Sequence, residues 1–212
     1  MASITAFTPW ASGQEKTVTI MFADLRDFTG TTEHRLPFDV VYLVNQFSRA
    51  MGTTVESNDG RIDKFLGDGF MALFGLDTTP QEGALHAIQA AAAMQRELET
   101  LNNQLESELD KPLRMGIGIH TGSVVLGEMG HGAARSLTAI GDTVNTASRL
   151  EASTKELSCA ICISAITLSY ANLTASEQSL KNVTVRGKTD TVDVLALERV
   201  EEVLLGGIEK SA

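Results

Sequence analysis

The order of apolar runs in this chain predicts an α+β fold: a ferredoxin-like βαββαβ core, with an antiparallel sheet carrying helices on one face, plus additional C-terminal strands and short helices. Three observations predict it. A short apolar strand at 18–23 precedes apolar residues at helical spacing from Pro37 to about Val55. Two strand-like runs then flank the turn residues Leu66, Gly67, Asp68 and Gly69. An alanine-rich stretch after Pro80 has strong helical propensity and leads into a further alternating strand.

Taken in order, the first helix places Phe38, Val41, Tyr42, Leu43, Val44, Phe47 and Met51 at helical spacing and stops at Asn58, Asp59 and Gly60. Arg61 to Phe65 and Phe70 to Phe74 form a hairpin with Asp68 at its tip. The alanine-rich helix runs to about Glu108, and Pro112 closes it. Residues 113–120 alternate as a strand, Thr121, Gly122 and Ser123 read as a turn, and Val124 to Glu128 as a returning strand. A glycine-rich connection at 127–136 leads to a strand near Leu137 to Ile140. A helix from Asp142, read as its cap, continues to Thr154. The tail supplies a strand at 158–163, a short helix at 165–170 and strands at 179–185 and 192–198. Residues 1–15 read as a linker or chain edge, 16–200 as one domain, and 201–212 as a tail.

At 212 residues the chain can bury a core without a disulfide. Its net charge of -10 opposes nucleic-acid binding and an anionic membrane surface, so a phosphorylated ligand needs local cations. With no apolar run of about 18 residues and no signal-peptide pattern, the expectation is a soluble cytoplasmic region. That region is expected to be excised from a longer protein with a regulatory or membrane domain. Cys159 and Cys162 are read as small core hydrophobes on opposite sides of a strand.

Asp24 and Asp68 each stand where a strand meets a turn. Two carboxylates delivered to one point can hold two hard cations about 4 Å apart, which activate a hydroxyl and steady a triphosphate. The alternative is two unrelated turn aspartates. Lys64 precedes Asp68 by four residues. In ThrAlaIleGlyAspThrValAsnThrAlaSerArgLeuGlu (138–151), Asn145 and Arg149 share one helix face. An amide beside a guanidinium fork suits a phosphoryl oxygen gaining charge. ValArgGlyLysThrAsp (185–190) adds Arg186 and Lys188 on a turn.

Together these segments resemble the catalytic domain of the class III nucleotidyl cyclases, over Lys16 to Leu197. The resemblance implies that Asp24, Asp68 and the carbonyl of Leu25 bind two Mg²⁺ or Mn²⁺ ions, and that Lys64 and Thr138 read the base. Lys with Thr resembles the bacterial adenylate cyclase subclass in which Thr replaces Asp. Lys then donates to a ring nitrogen, and the Thr hydroxyl accepts from the exocyclic amine of adenine. Asn145 orients the ribose, Arg149 contacts the phosphate under attack, and Lys188 holds the terminal phosphates. The reaction implied is in-line attack of the ribose 3′ hydroxyl on the α-phosphorus of ATP, giving cyclic AMP and pyrophosphate.

The family builds its site across a dimer. One chain supplies the aspartates and Lys188, the other Lys64, Thr138, Asn145 and Arg149, so a homodimer with two sites is implied. Bicarbonate stimulation is a further implication of Thr138. Asp27 is expected to face solvent, His120 to be structural, and His131 to be exposed. A guanylate cyclase and a catalytically silent nucleotide-binding module are the alternatives.

Overall fold

The computed structural model describes residues 13–33, 35–131, 135–184 and 191–201. Its backbone is a pair of long antiparallel strands, β1 (Gln14–Leu25) and β4 (Met115–Met129), matched from Gln14 opposite Leu126 to Leu25 opposite Met115. β4 is continuous. The turn expected at 121–123 is absent because Thr121, Gly122 and Ser123 all pair with β1. That partner strand satisfies the backbone groups a local turn would otherwise have to satisfy.

A short helix α1 (Phe28–Thr32), not foreseen in the sequence, follows β1, and then comes α2 (Pro37–Glu56). The hairpin β2 (Gly60–Phe65) and β3 (Gly69–Phe74) forms as expected, closed by Leu66 N–H donating to Gly69 O at 2.8 Å. α3 (Pro80–Gln104) begins with a reciprocal capping box between Thr79 and Glu82 and ends four residues before the expected Glu108. The sheet order β2-β3-β1-β4 is that of the split βαββαβ core.

β5 (Ser136–Ile140) pairs antiparallel with the far half of β4. α4 (Asp142–Glu156), β6 (Ile161–Ser164), α5 (Ala165–Tyr170), a 3₁₀ turn at Glu177–Ser179, β7 (Leu180–Thr184) and β8 (Thr191–Leu197) complete the chain. β6 joins β4 in parallel, and the β7–β8 hairpin extends the sheet beyond β6. The strand expected at 158–163 is thus shorter and begins later. Asp142 stands in the first turn of α4, and the capping position belongs to Gly141.

Strand alternation divides the core. Met21 and Ala23 of β1 pack with Phe47, Met51 and Val55 of α2 and Ala87, Ala91 and Met94 of α3. Val18 and Ile20 pack on the opposite face with Val124 of β4 and Ala147 of α4. Not all of the α2 stripe is core. Leu43, Phe47, Met51 and Val55 are buried, but Phe38, Val41 and Tyr42 are exposed beside an equally exposed Leu36. Apolar residues at one helical spacing are thus split between the core and the surface.

Among the described residues no helix is long and apolar enough to cross a membrane. Cys159 and Cys162 are free and buried, as expected of core hydrophobes, but they do not diverge. Cys159 precedes β6 rather than lying within it, so strand alternation does not apply, and the two Sγ atoms lie 3.6 Å apart.

Candidate active site

Asp24 sits one residue before the end of β1, opposite Gly69 of β3 on one side and Gly116 of β4 on the other. Asp68 occupies the adjoining β2–β3 turn, and its carbonyl accepts from Leu25 N–H at 3.3 Å. The Asp24 carboxylate lies over Gly69, where an added Cβ would stand 2.4 Å from Asp24 Oδ1. Burial, and then the charge of Asp68, raise the Asp24 carboxyl above the ordinary range, while Lys155 and Arg26 oppose the rise.

Two mutually repelling carboxylates beside a bare glycine are a fitting seat for hard cations. Among the described residues no three or more acidic, His or Cys side chains are grouped so as to hold a metal ion by themselves. Any cation on this pair would therefore complete its oxygen shell with backbone, water or ligand phosphate. A groove of about 430 Å³ opens beside Asp68, lined by Phe28, Val41, Val44 and Asn45 among others.

Lys64 and Thr138 meet within one chain, although 74 residues separate them. Thr138 lies on β5 opposite Gly127, and the sheet curls until β5 touches β2. Lys64 Nζ donates to Thr138 Oγ1 at 3.0 Å, and Thr138 Oγ1 donates to Asp63 Oδ2 at 2.9 Å. Asp63 Oδ2 also pairs with Lys64 Nζ at 3.1 Å.

Asn145 and Arg149 stand one turn apart on α4, with Asn145 exposed. Arg149 donates to Thr184 O at 3.3 Å and pairs with Glu156 at 3.1 Å, which fixes one end of its fork within the chain. Arg186 and Lys188 lie outside the described residues. Asp27 is 85 % exposed, in keeping with expectation, and pairs with Arg114 at 3.4 Å. His120 contacts Ser164 Oγ at 2.9 Å, a structural placement, and His131 is exposed.

Two residues near these clusters went unnoticed in the sequence. Asp63 carries no signal in the sequence, since strand alternation sends it away from Lys64. Glu151, which ends the 138–151 motif, is pushed up to about 7 by burial and then by the charge of Asp24. Among the described residues its Oε1 and the nearby Arg26 Nε are buried without a hydrogen-bond partner. Both approach the backbone of Gly116, opposite Asp24. Arg26 also donates to Cys159 O at 2.8 Å. A larger cavity, about 670 Å³, opens past Arg26 toward Lys155 and Asn102, and none of the described candidate residues lines it.

The adenylate and guanylate cyclase catalytic domain family matches residues 11–198, and the chain belongs to that family. Its members generally use divalent metal ions. The chain is 36% identical over 186 residues to an adenylate cyclase of Anabaena cylindrica, covering 84% of this chain and 36% of that protein. It is 31% identical over 177 residues to adenylate cyclase 1 of Rhizobium meliloti, covering 84% of this chain and 27% of that one. It thus spans about a third of the length of these relatives. Among solved structures it is similar to the guanylyl cyclase Cya2, with a TM-score of 0.79 and 33% identity, covering 94% of this chain and 99% of that one. The adenylyl cyclase CyaB from P. aeruginosa follows at a TM-score of 0.76 and 28% identity, covering 94% and 97%.

Proposed function

We propose that this domain is an adenylate cyclase, converting ATP to 3′,5′-cyclic AMP and pyrophosphate in a homodimer. The observation that carries the reading is the Lys64–Thr138 contact at 3.0 Å. With Thr138 and Asp63 already engaged, Lys64 still has one N–H to donate, and Thr138, already donating to Asp63, keeps a lone pair. A donor beside an acceptor complements the N1 and amino edge of adenine. Facing guanine in the same pose, the donor would meet an N–H and the lone pair an oxygen.

In this reading one protomer contributes Asp24, Asp68, the Leu25 carbonyl and Lys188, and its partner contributes Lys64, Thr138, Asn145 and Arg149. Divalent ions held by Asp24 and Asp68 supply Lewis-acid activation of the 3′ hydroxyl and charge neutralisation of the triphosphate. Asn145 orients the ribose. Arg149 offers its guanidinium to the charge gathering on the α-phosphate. Lys188 binds the terminal phosphates. The exposed apolar residues Leu36, Phe38, Val41 and Tyr42 on and beside α2 support a protein-covered surface next to the Asp68 groove.

The second reading is guanylate cyclase, favoured by the likeness to the guanylyl cyclase Cya2. Parallel assays of ATP and GTP turnover with Mn²⁺ decide between the two, and a GTP preference would refute the adenylate reading. Specific activity measured against protein concentration tests the shared site, since it should fall when the protein is diluted below its dimer dissociation constant. Nucleotide binding without turnover at any concentration would point instead to a silent module. A bicarbonate titration at fixed pH tests the stimulation expected from Thr138.

A further inference from the structure

β2 and β3 pair regularly from Gly60 opposite Phe74 to Ile62 opposite Ala72, and then the register slips: Lys64, not Asp63, faces Met71. Asp63 is the extra residue of a β-bulge. In a regular strand consecutive side chains point to opposite faces, so Asp63 and Lys64 could not both reach one atom. The bulge cancels that alternation, and both side chains meet Thr138 Oγ1. The Asp63 side chain is 0% exposed, and its second oxygen, Oδ1, has no hydrogen-bond partner among the described residues. Burying a carboxylate this way is costly, so its placement asks for a use.

We infer that Asp63 is a positioning residue for substrate choice, locking the Thr138 hydroxyl proton toward itself so that the base is offered only a lone pair. This rests on the adenylate reading. A threonine hydroxyl is by itself indifferent, because it can donate to a guanine carbonyl as readily as it accepts from an adenine amine. A charged acceptor 2.9 Å away removes that choice, since a hydrogen bond to a carboxylate outcompetes one to a neutral carbonyl. Lys64 takes another position on the hydroxyl oxygen, leaving a single lone pair outward. Threonine thereby acts as a pure acceptor without carrying charge.

The test is the ratio of kcat/KM for ATP to that for GTP, with folding read by circular dichroism. In Asp63→Ala the ratio should fall about tenfold, the scale of one misdirected hydrogen bond. Asp63→Asn, whose neutral carbonyl competes with that of guanine on equal terms, should restore it only in part. In a Thr138→Val background Asp63→Ala should leave the ratio unchanged, because no hydroxyl remains to be oriented. Should the alanine variant not fold, Asp63→Ser, whose hydroxyl is too short to reach, replaces it. An unchanged ratio in the folded variant would overturn the inference, as would an undiminished effect in the valine background. A GTP preference of the wild-type protein would overturn the adenylate reading and this inference with it. The wild-type ratio therefore reports on the first and the variant shift on the second.

Discussion

The carboxylate of Asp24 rests on the backbone of Gly69, so that any side chain at 69 would occupy the place of Asp24 Oδ1, 2.4 Å from the position of a Cβ. The two strands can deliver an aspartate to this end of the sheet only if its cross-strand partner carries no side chain.

Gly69→Ala is therefore expected to fold but to displace the Asp24 carboxylate. Cyclase activity should fall by about 10², the scale of an ångström-sized misplacement of a reacting group. A Mn²⁺ titration of activity, with the far-ultraviolet spectrum unchanged, checks this; full activity in the variant would show that Asp24 does not need its present position.

Arg149→Ala is expected to lower kcat by about 10² to 10³, in line with losing a preorganised donor to developing charge. Its partner Glu156 is exposed, so Glu156→Gln, which removes the 3.1 Å ion pair, should change stability by at most about 1 kcal/mol. Steady-state kinetics on the two variants separate a catalytic guanidinium from one that serves only its helix.

Folded Glu151 keeps its proton up to about pH 7, whereas the unfolded chain releases it near its ordinary value of 4.5. Between those limits the folded state holds more protons, so this group makes stability fall as pH rises through the window. Glu151→Gln cannot ionise, and in metal-chelated protein its melting temperature should exceed that of the wild type above pH 7. The difference should shrink toward pH 4.5. Thermal melts across that range check it, and parallel curves would remove Glu151 as the titrating group.

Thr79→Ala removes one half of the capping box that starts α3. A loss of about 1 kcal/mol is expected, seen in urea midpoints, with specific activity unchanged in native buffer.

Much of this architecture was legible because it is local. Pro37 and Pro80 open helices, the Gly67–Asp68–Gly69 turn closes a hairpin, and the strand ending at Leu25 carries its aspartate near its C-terminal end. What escaped depends on residues far away in the chain. ThrGlySer at 121–123 has turn composition, yet Gly122 is needed because Thr143 Oγ1 would stand 2.6 Å from a Cβ there, while β1 supplies the pairing. Asp63 escaped because a bulge is a property of two strands, and the sequence of one strand shows only alternation. The exposure of Phe38, Val41 and Tyr42 is not legible because spacing alone cannot tell a face covered by the chain's own core from one left exposed.

The seating of α4 on β4 has a mechanical consequence. At Gly118 an added Cβ would stand 2.1 Å from Glu151 N and 2.5 Å from Ala147 O, so helix backbone lies directly on strand backbone with no side-chain layer between. A helix seated in this way has nothing to slide on. Asn145, Arg149 and the strand opposite Asp24 form one stiff body within each chain. In the proposed dimer, opening and closing of the site must come from the rotation of two such bodies against each other, and a regulatory input would act by turning one whole protomer relative to its partner.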